Sequence, residues 1–335
     1  MAGPGSERMT VSQPVGLPAM GYVAMMVLIL SSTPLAAKYV VRELPVGLIP
    51  LVRFGVAGLI LGPLVLRGSG LGRMIREDWP RLLMASAFCV PINQWFFLTG
   101  AKYAPSGHIG LIYAACPLVV LTLAALSGQE RLASGRIVGL VSSIFGVALI
   151  ATENLVKAGV AGKDALRGDL LEVVAVVAWG AYLTVNKPLV ARHGALPVLA
   201  ATFLFGSVLD LPVVLATYSS WPPLTEVSPA AWGRLAYMAT VISIGGLAFQ
   251  NLAMRSLDAS QVATLGNVSP VLTVVWGYLF LNERITWIAV VGGALVLGGI
   301  VWANRPARQA ALKEEPEPVR IGQARGDTPA VVATR

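Results

Sequence analysis

Charged residues are scarce in this chain: 13% of its 335 residues are Asp, Glu, Lys or Arg, whereas 56% are hydrophobic. Soluble globular domains carry roughly 25% charged and 45–50% apolar residues. This composition excludes a soluble globular class, because water cannot solvate such a chain unless most of its surface faces lipid. It predicts an all-α polytopic membrane protein, since a helix satisfies its own backbone groups within a bilayer.

Cysteine and histidine are almost absent, with two residues of each. Cys89 and Cys116 lie inside apolar runs, which favours packing over a disulfide or a metal site. His108 and His193 lie near the ends of apolar stretches, and these stretches contain neither a His-Glu-x-x-His motif nor paired aspartates. We therefore expect no catalytic residue, no metal and no cofactor. An intramembrane enzyme acting on a lipid is the least favoured alternative.

The net charge of +8 raises the question of a nucleic-acid partner. The basic residues, however, are not interleaved with aromatic residues on one face. They lie at the ends of apolar stretches, where the cytoplasmic loops of membrane proteins collect Lys and Arg. The expected partners are consequently the lipid bilayer and a small-molecule substrate, not nucleic acid.

Ten apolar stretches approach the length of about 20 residues that crosses a bilayer as a helix. These segments, numbered 1 to 10 in chain order, cover residues 19–37, 46–66, 82–101, 107–127, 135–152, 169–190, 197–217, 233–254, 259–281 and 285–303. Residues 1–18 precede them, and a loop of residues 153–168 separates segments 5 and 6. Residues 304–335 form a tail with little apolar mass to bury, so we expect the tail to be disordered.

The chain repeats a set of residues at an interval of 153 positions. The matching positions are Pro117 and Pro270, Glu130-Arg131 and Glu283-Arg284, Gly139 and Gly292, and Gly146 and Gly299. Internal repeats of membrane-spanning length are typical of alternating-access transporters. Residues 19–152 and 169–303 are therefore predicted to be two five-helix repeats.

Five helices are an odd number, so the second repeat should enter the membrane from the opposite side and be inverted relative to the first. The amino-terminal side then collects 16 basic residues and the other side 8, which predicts that both termini are cytoplasmic. Lys38 near the end of segment 1 matches Lys187 near the end of segment 6. Segment 1 is therefore interpreted as a retained helix and not as a cleaved signal peptide.

These features resemble the drug/metabolite transporter superfamily, and its EamA-type branch in particular, over about residues 19–303. The most specific part closes each half, where a proline is followed by Gln129-Glu130-Arg131 or Asn282-Glu283-Arg284 and then by a glycine-studded helix. Segment 6, with Trp179 to Tyr182 and Lys187, is similar to the family's Trp-containing opening helix. Arg53 also stands where the family usually carries an arginine.

Segment 1 departs from this pattern, because it has Leu30-Ser31-Ser32-Thr33-Pro34 where the family commonly shows Trp-Gly-Ser. The resemblance implies a permease of the bacterial inner membrane, usually an exporter of small metabolites such as amino acids. It also implies a central cavity between the two halves. Its motifs indicate the transport machinery and leave the substrate open.

Three charged residues lie well inside the predicted segments, where ionisable groups are functional candidates by default: Arg53, Glu172 and Asp210. The planar guanidinium of Arg53 suits a substrate carboxylate, and the alternative is a structural anchor to helix-end carbonyls or a neighbouring acid. Glu172 and Asp210 are candidates for proton coupling. The alternatives are an interfacial position for Glu172 and a structural pairing for Asp210.

Polar and aromatic residues inside the segments complete the candidate binding site. The predicted substrate-binding residues are Arg53, Asn93, Gln94, Tyr113, Trp179, Tyr182, Gln250, Asn251, Asn267 and Trp276. Buried amides in lipid must find partners, and a polar substrate can be one. For the aromatic residues, the alternative is a place in the interfacial belts of the membrane.

The predicted coupling and gating residues are Lys38, Pro117, Glu172, Lys187, Asp210 and Pro270. The matched prolines would bend segments 4 and 9 alike. The lysines would either attract anionic substrates at the two mouths or extend their amines to the interface. Small residues at four-residue spacing, such as Gly58 and Gly62, favour close packing within the monomer, with a homodimer as the alternative.

The sequence thus predicts a secondary transporter that exports a small polar or amphipathic metabolite, such as an amino acid, by alternating access. It contains no phosphate-binding Gly-x-x-x-x-Gly-Lys motif, so we expect a gradient to supply the energy. A channel-like facilitator is the main alternative. Proton coupling and uncoupled transport both stay open.

Overall fold

The computed structural model describes residues 17–66, 70–128, 138–139, 141–142, 144–150, 160–257, 259–266 and 268–303. The described chain is helical and contains no β-strand. The predicted tail, most of the N-terminal segment and the Glu130-Arg131 pair lie outside the described residues.

The α-helices follow one another with short connections. They are α1 (Leu17–Leu30), α2 (Thr33–Val40), α3 (Leu48–Leu66), α4 (Gly70–Ala87), α5 (Asn93–Tyr103), α6 (Ser106–Tyr113), α7 (Cys116–Leu126), α8 (Val160–His193), α9 (Ala195–Thr217), α10 (Pro229–Tyr237), α11 (Leu247–Ala253), α12 (Ala259–Leu265), α13 (Val268–Leu281) and α14 (Trp287–Ala303). Two π-helical stretches, Phe88–Ile92 and Met238–Gly246, join α4 to α5 and α10 to α11. Residues 144–150 are also helical.

Among the described residues, six helical stretches are long and apolar enough to cross a membrane: Pro18–Val40, Leu71–Tyr103, Ser106–Leu126, Lys163–His193, Ala195–Ser220 and Pro229–Ala253. Three shorter apolar helices in the same part of the chain cover Leu48–Pro63, Val268–Leu281 and Trp287–Gly299. Large apolar side chains face outward, including Leu59 and Phe145 at 71% exposure and Leu215 at 77%. Lipid can cover such a surface and water cannot, so the predicted all-α membrane class is confirmed.

Prolines accompany three of the helix interruptions. Pro34, Pro117 and Pro270 lie two to four residues after the interruptions between α1 and α2, α6 and α7, and α12 and α13. A proline inside a helix removes one N–H donor and displaces the carbonyl four residues earlier, which leaves backbone acceptors without their helical partners.

Helix α13 supplies donors to the interruption between α1 and α2. Thr273 Oγ1 donates to the Ser31 carbonyl at 3.0 Å, and Ser269 Oγ donates to the Val27 carbonyl at 3.2 Å. The Val27 carbonyl also accepts the Ser31 N–H at 3.1 Å, so Ser269 is a second donor to it. These two bonds tie the bend of one half to a helix of the other.

Glycines let helix α14 cross the helical residues 138–139, 141–142 and 144–150 with backbone-to-backbone contact. A Cβ atom built on Gly146 would lie 2.5 Å from the Gly292 oxygen, and one built on Gly299 would lie 2.6 Å from the Gly139 oxygen. In the sequence repeat, Gly139 corresponds to Gly292 and Gly146 to Gly299. The contact is therefore reciprocal, as it is between subunits related by a two-fold axis.

We expect Gly299→Ala to destabilise the protein by about 1–3 kcal/mol, because its methyl group would enter the space of the Gly139 backbone. The neighbouring Gly298→Ala is the matched control, since a Cβ atom there meets no atom within 4 Å. Thermal unfolding in detergent, followed by tryptophan fluorescence, measures both variants. Equal midpoints for the two variants would contradict the proposed crossing.

Candidate substrate cavity

A cavity of about 150 Å³ lies in the interior, between helices of both predicted repeats. Of the predicted site residues, Arg53, Asn93, Gln94, Tyr113, Trp179, Gln250 and Pro270 line it. The other walls are mostly apolar and include Met26, Leu30, Phe54, Phe97 and Leu183. The arrangement combines a few polar groups with an apolar surface, as ligand-binding cavities usually do.

Arg53 is the charged residue of this cavity lining, and its side chain is 3% exposed. Its Nε donates to Ser243 Oγ at 2.7 Å, and its Nη1 donates to Gln94 Oε1 at 3.1 Å. The guanidinium also stacks on the Phe54 ring, with 4.7 Å between Cζ and the ring centroid. Ser243 belongs to the second π-helical stretch, and such stretches are frequent at functional sites.

The hydrogen bonds of Arg53 continue through a chain of amides. Gln94 Nε2 donates to Asn93 Oδ1 at 2.7 Å, and Asn93 Nδ2 donates to the Tyr113 hydroxyl at 3.0 Å and to the Ala175 carbonyl at 2.8 Å. This series of hydrogen bonds joins helices α3, α5, α6 and α8. It holds Gln94 in the orientation that presents its oxygen to the guanidinium.

The partners of Arg53 are all neutral. Within the described part of the chain, no carboxylate forms an ion pair with its guanidinium, and its Nη2 has no hydrogen-bond partner. A buried charge is costly unless it is paired with an opposite charge. The cavity therefore presents a cation that an anionic ligand would neutralise.

Two further polar atoms at the cavity lack partners. Gln250 Oε1 and Thr33 Oγ1 are buried and form no hydrogen bond with the described residues. Buried polar atoms normally have partners, so these two atoms require an explanation. A donor group on a bound ligand, such as an ammonium or hydroxyl group, would satisfy Gln250.

Several predicted binding residues lie elsewhere. Tyr182 and Asn251 are buried in the core, and the Asn251 Oδ1 accepts a 3.0 Å bond from Asn186 Nδ2. Trp276 Nε1 donates to Ser31 Oγ at 3.2 Å, beside the interruption between α1 and α2. These three residues are not part of the cavity lining, and Asn267 lies outside the described residues.

The two matched lysines hold helix-end carbonyls. Lys38 Nζ donates to the Ala104 carbonyl at 2.7 Å, and Lys187 Nζ donates to the carbonyls of Met254, at 2.6 Å, and Leu257. Ala104 and Leu257 are themselves separated by the repeat interval of 153 residues. Each lysine therefore performs the same task in its own half, and neither lines the cavity.

A glutamate of the repeated Glu-Arg pair has a similar task. Glu283 accepts bonds from the Ser106 N–H at 2.8 Å, the Ser106 hydroxyl at 2.6 Å and the Gly107 N–H at 3.1 Å. It thereby caps the first turn of α6 and neutralises its unpaired N–H groups. Glu283 therefore stabilises a helix of the other half.

The two acids proposed for proton coupling lie away from the cavity lining. Glu172 is 0% and Asp210 1% exposed, and neither carboxyl oxygen of either residue has a hydrogen-bond partner among the described residues. Pro117 is buried near the start of α7 and is not among the residues that line the cavity. Such unpaired acids inside a membrane protein are candidates for proton binding.

Hydrogen bonds and ion pairs join the two halves at both ends of the bundle. After α2, Glu43 accepts a 3.0 Å bond from the Ser228 N–H at the start of α10, and Arg234 Nη1 lies 3.7 Å from Glu43 Oε1. The Ser228 hydroxyl and N–H lower the pKa of Glu43. At the end of α8, Arg192 Nη1 donates to Asp78 Oδ1 at 2.9 Å, and His193 Nε2 lies 2.8 Å from Asp78 Oδ2.

Sequence reasoning missed Ser243, the hydroxyl that orients Arg53, and the buried Asp169. Ser243 is one of many serines in apolar runs, and only the fold brings it to Arg53. Asp169 was placed at the edge of segment 6, whereas α8 begins at Val160 and buries Asp169 completely. The three-residue spacing from Asp169 to Glu172 was the available signal, because it puts both acids on one helix face.

Replacing either matched lysine by methionine should lower thermal stability, because carbonyls at the ends of α5 and α11 would lose their donor. We expect about 1–3 kcal/mol for each variant, the usual cost of leaving a buried acceptor unsatisfied. The exposed Lys102→Met is the control. A substrate-attracting role alone would predict altered transport with unchanged stability in the Lys38→Met and Lys187→Met variants.

Comparison with known proteins places this geometry among transporters. The chain matches the EamA-like transporter family over residues 17–152 and 166–305. It is 30% identical over 264 residues to a "Probable terminal-alkyne amino-acid exporter" of Streptantibioticus cattleyicolor, covering 75% of this chain and 85% of that protein. It is 25% identical over 271 residues to an uncharacterized transporter of Archaeoglobus fulgidus, covering 79% and 91% of the two chains.

A "Probable amino-acid metabolite efflux pump" of Escherichia coli is 23% identical over 228 residues, covering 65% of this chain and 75% of the pump. A solved crystal structure with 20% sequence identity matches at a TM-score of 0.60, covering 87% of this chain and 99% of the other, and shares the fold. The family match spans most of the chain and includes both predicted repeats. The chain belongs to the EamA-like transporter family.

Proposed function

We propose that the protein is a secondary transporter of the bacterial inner membrane that exports a small amphipathic carboxylate, such as an amino acid, by alternating access. The observation that carries this proposal is the buried Arg53, which faces the cavity with neutral partners only. A substrate carboxylate would supply the missing negative charge and can accept two parallel bonds from the guanidinium.

The rest of the cavity supports an amphipathic substrate. Gln250 Oε1 offers an acceptor for an ammonium group, while Phe54, Phe97 and Trp179 offer apolar surface to a side chain. Two relatives carry names that include amino-acid export, which agrees with a substrate that bears both a carboxylate and an amine. The small volume of about 150 Å³ favours a single small metabolite.

Two inverted five-helix repeats are the architecture we propose for the ten predicted segments. The reciprocal glycine crossing supports a two-fold relation between the halves. The lysine caps support inversion: Ala104, the partner of Lys38, packs against Gly168, and Lys187 lies nineteen residues, roughly 28 Å, further along the same helix α8. Equivalent residues of the two halves thus lie near opposite ends of the bundle. We place both termini on the cytoplasmic side because of the distribution of Lys and Arg along the sequence.

The proposed binding site predicts that Arg53→Gln reduces efflux of a carboxylate substrate about tenfold to a hundredfold, since a charge-assisted bond contributes about 1.5–3 kcal/mol. Proteoliposomes loaded with radiolabelled leucine or methionine would measure the flux. The matched probe is isopentylamine, which is leucine without its carboxylate. The wild type should prefer leucine, and the variant should lose that preference.

Equal discrimination by both proteins would remove Arg53 from substrate binding. Saturable counterflow supports a carrier, whereas an ohmic current would support the channel-like alternative. A product released from lipid without solute flux would indicate an enzyme instead.

Proton coupling through Glu172 or Asp210 makes a separate prediction. If one of these acids carries the proton, Glu172→Gln or Asp210→Asn should abolish accumulation driven by a pH gradient, because neither amide can take up and release a proton. Exchange of labelled for unlabelled substrate at equal pH should persist, since it needs no net proton movement. Unchanged driven accumulation in both variants would exclude these acids from coupling.

A further inference from the structure

A buried histidine lies against the start of helix α8, outside the cavity. His108 on α6 is 5% exposed, and its Nδ1 lies 3.2 Å from both carboxyl oxygens of Asp169, which is 0% exposed. Glu172 follows Asp169 by three residues and lies on the same face of α8, about 4.5 Å further along the helix axis. The three titratable side chains therefore form a continuous row.

The Glu172 carboxyl occupies space left by a glycine. A Cβ atom on Gly100 of α5 would lie 2.6 Å from Glu172 Oε1 and 2.9 Å from its carboxyl carbon. Neither oxygen has a hydrogen-bond partner among the described residues. A neutral acid tolerates such a place far better than a carboxylate does, because an unpaired buried charge is very costly.

The other charged and titratable groups around this row already have partners. Lys38 donates to the Ala104 carbonyl, Glu283 caps α6, Arg167 stacks on Tyr103 at 5.2 Å, and the Tyr113 hydroxyl accepts from Asn93. Lys38, Asp169 and Tyr113 are ionisable groups close enough to Glu172 to interact with it electrostatically. Glu172 is thus the unpaired member of the row.

We propose that His108 and Asp169 form a proton relay that leads to Glu172. The relay begins at the end of the bundle where α5 ends and α6 begins. The relay rests on the proposed function, because a transporter uses it only if transport is coupled to protons. The His108 imidazole takes up a proton and passes it to Asp169, and Asp169 passes it to Glu172. Only N–H and O–H bonds form and break, and release follows the same path in reverse.

Imidazole suits the entry position, because one ring nitrogen can accept a proton while the other donates one to Asp169. The step from Asp169 to Glu172 spans one helical turn, which a single water molecule or a side-chain rotation can bridge. Asp210, the other unpaired acid, has no bond to a histidine among the described residues. This difference favours Glu172 as the end of the relay.

Hydrogen–deuterium exchange of the Glu172 carboxyl tests the relay without any substrate. The full chain in nanodiscs would be transferred to D₂O, and infrared spectroscopy would follow the band of the protonated carboxyl that Glu172→Gln removes. We expect this band to exchange about a hundredfold more slowly in His108→Gln and in Asp169→Asn than in the wild type, since positioned acid–base groups accelerate proton transfer by about 10²–10⁴. Asp169→Glu should restore fast exchange.

Equal exchange rates in the wild type and both variants, or the absence of a carboxyl band sensitive to Glu172→Gln, would overturn the relay. Thermal unfolding identifies a variant that fails to fold. In that case the exchange rates of Asp169→Glu and His108→Asn are compared instead, with fast exchange expected in the first and slow exchange in the second. The two hypotheses can fail separately. If exchange is slow in the variants but transport by the wild type does not respond to a pH gradient, the relay is supported and proton-coupled transport is contradicted.

Discussion

The absence of hydrogen-bond partners in lipid governs this structure. Every carbonyl that a proline frees, and every helix end inside the bilayer, must be satisfied by another part of the chain. Thr273 does so for the Ser31 carbonyl at the bend before α2, Lys38 and Lys187 for the ends of α5 and α11, and Glu283 for the start of α6. Several of these bonds run between the two halves, so the bonds that complete one half also fasten it to the other.

Against this background the unsatisfied groups become informative. A chain that supplies partners to its helix ends leaves Arg53 without an acid, Gln250 Oε1 without a donor, and Glu172 and Asp210 without any bond among the described residues. The first two belong to residues that line the cavity and suit the zwitterionic ligand we propose. The last two are buried elsewhere and suit the proton of a coupled transporter. In the proposed mechanism, the residues that bind the substrate would therefore differ from those that carry the proton.

The sequence predicts much of this arrangement, because lipid restricts both composition and backbone geometry. The apolar segments, the matched prolines and the charge of Arg53 are all visible without a structure. The hydrogen bonds of Lys38 and Lys187 are not visible in the sequence. A lysine at a helix end gives the same sequence pattern whether its amine faces water or donates to the carbonyl of Ala104 or Leu257. Asp169 was missed because a hydropathy window ends where charge begins, although the helix itself continues outward to Val160.

Helix α8 has a mechanical property that its length creates. Its 34 residues form a helix about 50 Å long. His193 at its C-terminal end contacts Asp78, and Asp169 near its N-terminal end contacts His108. Near its centre Gly180 rests directly on Val119, with no side chain between them. A lever supported at the middle moves its two tips in opposite directions, so a tilt that widened one mouth of the transporter would narrow the other.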